Sequence, residues 1–135
     1  MNPNPVPAAC VVVADGRQQV LLVESNAETK TGRWCLPGGF MQLGESPEQA
    51  ALRELKNKTG LSGQIELLLG VVAHPGETVA AVLTIGYLVC RTGGKTMADD
   101  DAYRLSWFHP ERLPPIAFQS HRHFIRLYYA AYADG

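Results

Sequence analysis

The chain opens with two short apolar runs that are rich in valine. They cover residues 8–13 and 19–24, and each predicts a strand because β-branched side chains fit a pleated, half-buried surface. The Asp15-Gly16 pair between them is typical of a hairpin turn, so we expect the two strands to pair with each other. The polar stretch 25–32 that follows predicts a loop.

A third apolar segment, residues 34–36, predicts a short strand. It ends in Pro37-Gly38-Gly39, where the backbone can take conformations that are closed to other residues. The later apolar pattern predicts three further strands and a terminal helix, at residues 65–73, 79–91, 104–109 and 120–132 respectively.

The middle of the chain has the signals of one well-delimited helix. Ser46 is a good N-cap, Pro47 suits the first helical position, and Gln49 completes a capping box. The helix should run to about Thr59 and end at Gly60, which can take the left-handed conformation of a helix stop. Strands, a helix, more strands and a final helix together predict an α+β fold with helices packed on a mixed sheet.

Bulk composition bounds the class of protein. The chain has 135 residues, 46% of them apolar, so we expect a single domain, 1–135, with a sizeable core. Twelve basic and thirteen acidic residues give a formal charge of −1, which argues against a nucleic-acid polymer as the partner. The N-terminus lacks signal-peptide features, and the most apolar stretch, 79–90, is too short to span a bilayer. With three scattered cysteines, these features predict a reduced cytoplasmic protein without a membrane partner.

Residues 39–61 contain the most specific motif, GFMQLGESPEQAALRELKNKTGL. It resembles the Nudix box, G-x5-E-x7-R-E-U-x-E-E-x-G-U with U aliphatic, and every spacing matches. The segments 34–40 and 113–122 extend the resemblance towards a subgroup that acts on ADP-ribose or dinucleotides. The positions identical to the box are Gly39, Glu45, Arg53, Glu54, Leu55, Gly60 and Leu61.

The resemblance implies a fold and a chemistry. The fold is an α/β/α sandwich with the box as a loop–helix–loop. The chemistry is hydrolysis of a nucleoside diphosphate linked to another group, with Mg²⁺ or Mn²⁺ held by box carboxylates. Glu54 is then the expected catalytic residue and, with Gly39, the expected metal ligand. In the family, the pair corresponding to Glu45 and Arg53 fixes the loop against the helix, so we assign Glu45, Arg53 and Gly60 structural roles.

Two box positions depart from the family pattern. Asn57 and Lys58 stand where the family has adjacent glutamates. Glu54 and Lys58 lie four apart on the predicted helix, so they can form an ordinary exposed ion pair worth roughly 0.2–0.5 kcal/mol. The alternative is that the Lys58 ammonium takes the place of the lost metal and neutralises Glu54 permanently. Both interpretations predict weaker Mg²⁺ binding.

A third departure lies downstream of the box. Related proteins often have Asp-Asp-Ala-x-Glu before a Trp-Phe pair, and here Arg104 falls at the glutamate position. The acidic residues 99–101 are an alternative source of a carboxylate, although such a run is more often a solvated turn. The residues that we expect to contact substrate are Arg33, Gly38, Gly39, Lys58 and Arg104.

Aromatic and histidine side chains are weaker candidates. Phe40, Tyr103 and Phe118 are able to stack on a base, but core packing is the commoner role for each. Three histidines are open to phosphate contact, although capping and surface roles are more common: His74, His121 and His123.

Three functions follow from these residues. The first is a weakened divalent-metal-dependent pyrophosphohydrolase. The second is a Nudix domain without catalysis or cofactor that binds such a nucleotide, with Lys58 and Arg104 on the phosphates, since cations in place of carboxylates suit an anion-binding pocket. The third is a partner-binding scaffold, and the family resemblance also leaves a homodimer open.

Overall fold

The computed structural model describes residues 4–25, 32–76, 79–96 and 104–132. Within these ranges the chain forms seven strands, two α-helices and a 3-10 turn at Pro110–Arg112. In chain order the elements are β1 (Val6–Val13), β2 (Val20–Glu24), β3 (Trp34–Cys35), β4 (Gly38–Phe40), α1 (Pro47–Thr59), β5 (Leu61–Pro75), β6 (Ala81–Gly94), β7 (Leu105–Phe108) and α2 (Gln119–Tyr132).

The strands form two sheets, and one of them is mixed. The larger sheet has the order β4-β1-β6-β5, in which β1 is parallel to β6 and the other neighbours are antiparallel. The smaller sheet has the order β3-β2-β7 and is antiparallel. The predicted α+β class with a mixed sheet is confirmed.

The two helices cover opposite faces of β1. Side chains alternate between the faces of a strand, and on β1 Val11 belongs to the core cluster that contains Leu55 of α1. The next residue, Val12, belongs to the cluster that contains Phe124 of α2. All four side chains are fully buried. This arrangement is the α/β/α sandwich that the resemblance implied.

The ends of α1 lie where the local signals place them. The Ser46 hydroxyl accepts the Gln49 backbone N–H, and the Gln49 side chain accepts the Ser46 N–H, which completes the capping box. Gly60 ends the helix with φ 83° and ψ −5°, a left-handed conformation that suits glycine. None of the helices in the described residues is long and apolar enough to cross a membrane.

The predicted pairing of the first two strands is wrong. The turn is present, since the Asp15 N–H donates to the Gln19 carbonyl and its carboxylate accepts two further backbone N–H groups. Beyond a single bridge between Ala14 and Val20, however, β1 and β2 enter different sheets. Strand β6 pairs with one edge of β1 over its whole length and β4 with the other over Ala8–Cys10, which leaves little of β1 for β2.

The conformational freedom that the sequence offers at Gly38-Gly39 is not used. Gly38 and Gly39 begin the regular strand β4, and neither has a positive φ. Glycine is needed there for close packing. A Cβ on Gly38 would lie 2.5 Å from the Ala9 carbonyl oxygen, and a Cβ on Gly39 would lie 2.5 Å from Glu54 Oε2.

Candidate functional site: a cavity beside the altered box

Strand β4 is an edge strand, and two of its carbonyl groups point away from the sheet. Its register with β1 pairs Gly39 with Ala9. Two residues before Gly39, the Val11 N–H donates to the Pro37 carbonyl, which is a further bond of the same ladder. In an antiparallel pair the residues between such bonded positions face outward. The carbonyls of Gly38 and Phe40 therefore lack a strand partner and face α1.

Two cations of α1 bind these outward carbonyls. Arg53 Nη2 donates to the Phe40 carbonyl at 3.1 Å. Lys58 Nζ donates to the Gly38 carbonyl. The carbonyl that faces the box helix belongs to Gly38, whereas Gly39 pairs with β1, and the metal role expected of Gly39 stays a prediction.

Arg53 also organises the acidic side chains of the box. Its Nε lies 2.6 Å from Glu45 Oε2 and its Nη2 lies 3.0 Å from Glu45 Oε1, a two-pronged contact that fixes both side chains. Its Nη1 lies 2.8 Å from Glu54 Oε2. These bonds lower the pKa of Glu45 and raise that of Arg53, chiefly because each stabilises the charged form of its partner.

Glu54 is compensated on both of its oxygens. Oε2 accepts from Arg53, and Oε1 lies 3.7 Å from Lys58 Nζ. The Lys58 ammonium therefore joins a carboxylate and a backbone carbonyl, the two kinds of oxygen that a hard divalent cation would bind. Its contact with Gly38 goes beyond the exposed helix ion pair that was one of the two interpretations of Lys58.

The Mg²⁺ or Mn²⁺ that the family implies would need several oxygen ligands from this region. Glu54 is the carboxylate that lies against Gly39, while Asn57 is exposed and carries only a neutral oxygen. No group of three His, Cys, Asp or Glu side chains lies together in residues 4–25, 32–76, 79–96 and 104–132. With an ammonium already between the two best oxygens, this donor set does not fit a divalent metal.

A cavity of about 310 Å³ opens beside the altered box. Gly38, Gly39 and Lys58 line it from the side of α1. Residues 118, 120 and 121 line it from the start of α2, and Phe40, which is 49% exposed, lies on its wall. Core packing is therefore the wrong role for Phe40. A ring that borders both a cavity and solvent has a free face for stacking.

His121 links this cavity to the segment that precedes the box. Its Nδ1 accepts the Leu36 backbone N–H at 3.0 Å, so in this geometry the ring proton must be on Nε2. Burial, assisted by the nearby charges of Lys58 and His74, lowers the pKa of His121 to about 3, so the ring is neutral at pH 7. Leu36 and Gly38 are two residues apart, so side chains from both helices hold the same short segment.

The remaining predicted site residues lie outside the cavity lining. Arg104 lies 3.3 Å from Glu24 and over the Trp34 ring at 5.9 Å, and it contacts the cavity only through Glu24, which lines it. Arg33 is exposed, and its backbone carbonyl accepts the Ser25 N–H. The acidic stretch 99–101 and Tyr103 fall outside the described residues, so their roles stay predictions.

One cavity residue was not singled out from the sequence. Ser120 is only 4% exposed, lines the cavity, and carries a hydroxyl without a hydrogen-bond partner in the described part of the chain. A serine at the start of a helix is too common to stand out in a sequence. Only the fold places it beside Lys58.

Comparisons with known proteins agree with this architecture. A family model described as NUDIX domain matches residues 4–128. The chain is 35% identical to the ADP-ribose pyrophosphatase of Methanocaldococcus jannaschii, over 82% of this chain and 65% of that protein. It is 37% identical to the putative 8-oxo-dGTP diphosphatase of Bacillus subtilis, over 78% of this chain and 68% of that protein.

A solved structure gives the same result for the fold. The crystal structure of a MutT NUDIX hydrolase from Burkholderia pseudomallei superposes with a TM-score of 0.79, covering 92% of this chain and 98% of that one, at 24% identity. The chain spans 65% of the length of the M. jannaschii protein. The family and the fold do not by themselves establish an activity. Box, sandwich and family match together place this chain in the NUDIX domain family.

Proposed function

We propose that this chain recognises a nucleoside diphosphate linked to a second group, such as ADP-ribose, and that fixed positive charge holds the phosphates. The observation that carries the proposal is the position of Lys58, whose ammonium binds the Gly38 carbonyl at the wall of the cavity. An ammonium at a cavity wall attracts phosphate oxygens without any metal. The ADP-ribose-like ligand is suggested by the relative from M. jannaschii.

The surroundings of the cavity support a nucleotide ligand. Phe40 offers an exposed ring on which a base can stack at the wall of the cavity. Glu24, an acidic residue of the lining, is paired with Arg104 at 3.3 Å, which reduces its repulsion of an anion. Glu54 is likewise paired, with Arg53 and Lys58.

Hydrolysis is at most a minor activity in this proposal. The described donors suit a fixed ammonium better than a divalent metal, so no metal assists the departure of a phosphate there. A loss of about 4 kcal/mol of transition-state stabilisation corresponds to a rate roughly a thousandfold lower. Against a typical turnover of about 10 per second, we expect roughly 0.01 per second or less.

Calorimetric titration with ADP-ribose in EDTA tests the binding. We expect metal-independent binding that weakens at least about tenfold, or about 1.4 kcal/mol, in Lys58→Met. Lys56→Met is the matched control, because it removes the same charge from the same helix at an exposed position whose ammonium bonds the Gly60 carbonyl. Equal losses in the two variants, or no binding without metal, contradict the proposal.

A working hydrolase is the second candidate, and the intact Glu45–Arg53–Glu54 network favours it because this half of the box is unchanged. The same protein is assayed for cleavage of ADP-ribose, NADH and nucleoside triphosphates with Mg²⁺ or Mn²⁺. Turnover of about 1 per second or more rejects the weak-hydrolysis proposal and selects the enzyme.

A further inference from the structure

The start of α2 is a second place in the cavity where hydrogen-bond donors collect. The Arg122 N–H donates to the Phe118 carbonyl at 3.2 Å, so the helical bonds begin there. The N–H groups of the three preceding positions, 119–121, consequently have no carbonyl partner within the helix. The helix dipole gives this end a partial positive charge, and no acidic residue lies in its first turn.

Ser120 adds an independent sign that a ligand is expected. Its side chain is 4% exposed, and its Oγ is buried without a hydrogen-bond partner in the part of the chain that the structure describes. Buried hydroxyls in native proteins are nearly always paired, because an unpaired one loses its water without compensation. Ser120 lines the cavity, so a ligand oxygen there would supply the missing partner.

His121 extends the same donor set. Because its Nδ1 accepts the Leu36 N–H, its Nε2 carries the proton, and a buried neutral imidazole in this tautomer can donate from Nε2 only. His121 lines the same cavity as Ser120 and Lys58. The hydroxyl, the imidazole N–H, the first-turn amides and the ammonium are all able to donate. An acceptor-rich group suits this surface, and a cation does not.

We propose that the first turn of α2, with the side chains of Ser120 and His121, forms an oxyanion subsite that binds a phosphate group of the ligand. The inference rests on the proposed function for the identity of the whole ligand, and the subsite itself requires only a phosphate. It makes Ser120 a determinant of affinity for phosphate-bearing ligands. A nucleoside without phosphate gains nothing from it.

Nuclear magnetic resonance titrations of the full chain in EDTA test the subsite directly. The probes are inorganic phosphate, ADP-ribose and adenosine. We expect phosphate and ADP-ribose to shift the amide signals of residues 119–121 and the Nε2–H signal of His121. We expect adenosine to leave these signals in place. Unchanged amides at 119–121 under saturating ADP-ribose overturn the subsite.

Two serine variants separate ligand binding from a purely structural role. Ser120→Ala removes the hydroxyl, whereas Ser106→Ala removes one from an exposed position on β7. We expect Ser120→Ala to weaken phosphate and ADP-ribose binding by about tenfold. Ser106→Ala should leave the affinities for phosphate and for ADP-ribose unchanged. A Ser120→Ala protein that is folded and binds both probes with unchanged affinity contradicts the inference.

The same titrations distinguish this subsite from the proposed function. If ADP-ribose binds through Lys58 but ignores Ser120, the subsite is wrong and the proposed function stands. If inorganic phosphate binds at residues 119–121 while ADP-ribose does not bind at all, the subsite stands and the proposed ligand is wrong. If neither probe binds in EDTA, both are wrong.

Discussion

Arg53 and Lys58 stand on the same helix and bind alternate carbonyls of the same edge strand, yet their surroundings differ. Arg53 contacts two carboxylates at 2.6 to 3.0 Å as well as the Phe40 carbonyl. Lys58 contacts the Gly38 carbonyl and stays 3.7 Å from Glu54. Lys58 lines the cavity, and Arg53 does not.

This difference separates scaffold from chemistry within one motif. The half of the box around Arg53 keeps the family residues and holds the loop to the helix. The half around Lys58 keeps the geometry but exchanges carboxylates for an amide and an ammonium. The first half of the motif matches the fold that the family implies, and our proposal makes the second half decide how much reaction remains.

The largest expected effect comes from converting the second half back. In Asn57→Glu with Lys58→Glu, three carboxylates would gather near a Gly38 carbonyl that no longer has an ammonium partner. We expect Mg²⁺-dependent hydrolysis of ADP-ribose to rise by as much as about a thousandfold, equivalent to about 4 kcal/mol. Steady-state rates of ADP-ribose hydrolysis with Mg²⁺ measure this rise.

The control for this variant is Asn57→Gln with Lys58→Gln, which removes the cation but supplies no carboxylate. It should stay as slow as the original chain. If the double glutamate variant is folded and no faster than this control, then the two box changes do not limit catalysis, and the contrast between the halves loses its chemical meaning.

A smaller effect should appear in stability. Arg53→Met breaks hydrogen bonds to two carboxylates, and we expect the free energy of unfolding to fall by about 2–3 kcal/mol. Lys58→Met breaks a looser ion pair and one hydrogen bond, to the Gly38 carbonyl, and we expect a smaller loss of about 1–2 kcal/mol. Urea denaturation compares the two. An equal or larger loss in Lys58→Met means that Lys58 is also scaffold.

The smallest effect is a dependence of stability on pH through His121. Its pKa of about 3 lies below the ordinary value of 6.5, so between these values the unfolded chain binds a proton that the folded chain excludes. Stability should fall as pH falls from 6.5, by up to about 1.4 kcal/mol per pH unit. Denaturation at pH 6.5, 5.75 and 5 measures the slope.

Variants connect this slope to the two cations. His121→Asn keeps an acceptor for the Leu36 N–H but does not titrate, so the slope should flatten. Lys58→Met should leave the slope between pH 6.5 and 5 nearly unchanged, because burial is the main cause of the low pKa of His121 and keeps the folded ring neutral there, and Arg53 is not among the causes. A slope that His121→Asn leaves unchanged means that another group causes the pH dependence.

The sequence predicts those features that depend on neighbouring residues. The bounds of α1 follow from Ser46, Pro47 and Gly60, because caps and left-handed stops are decided within one turn of helix. The pairing of β1 failed because its partner β6 is some seventy residues away, and local turn chemistry does not compete with a complete ladder. The close packing that requires glycine at positions 38 and 39 was not predicted for the same reason, since it depends on Ala9 and Glu54.

In the candidate site, too, contacts within one helix follow from the sequence, whereas contacts between distant elements do not. The proximity of Glu54 and Lys58 follows from helical spacing, and the structure places them 3.7 Å apart. The bond from Lys58 to a carbonyl twenty positions earlier depends on the tertiary fold. Ser120 was missed because nothing in its own neighbourhood marks it, and its unpaired hydroxyl becomes visible only when β-strands and both helices enclose it.

The segment Leu36–Gly38 is held at one end by an imidazole of α2 and at the other by an ammonium of α1. Any ligand that draws Lys58 away from the Gly38 carbonyl relaxes one end of this three-residue bridge. The nitrogen signals of the His121 ring sense the other end. The protein thus contains its own spectroscopic reporter, in which the ring signals of an α2 histidine respond when a ligand draws the α1 ammonium away from Gly38.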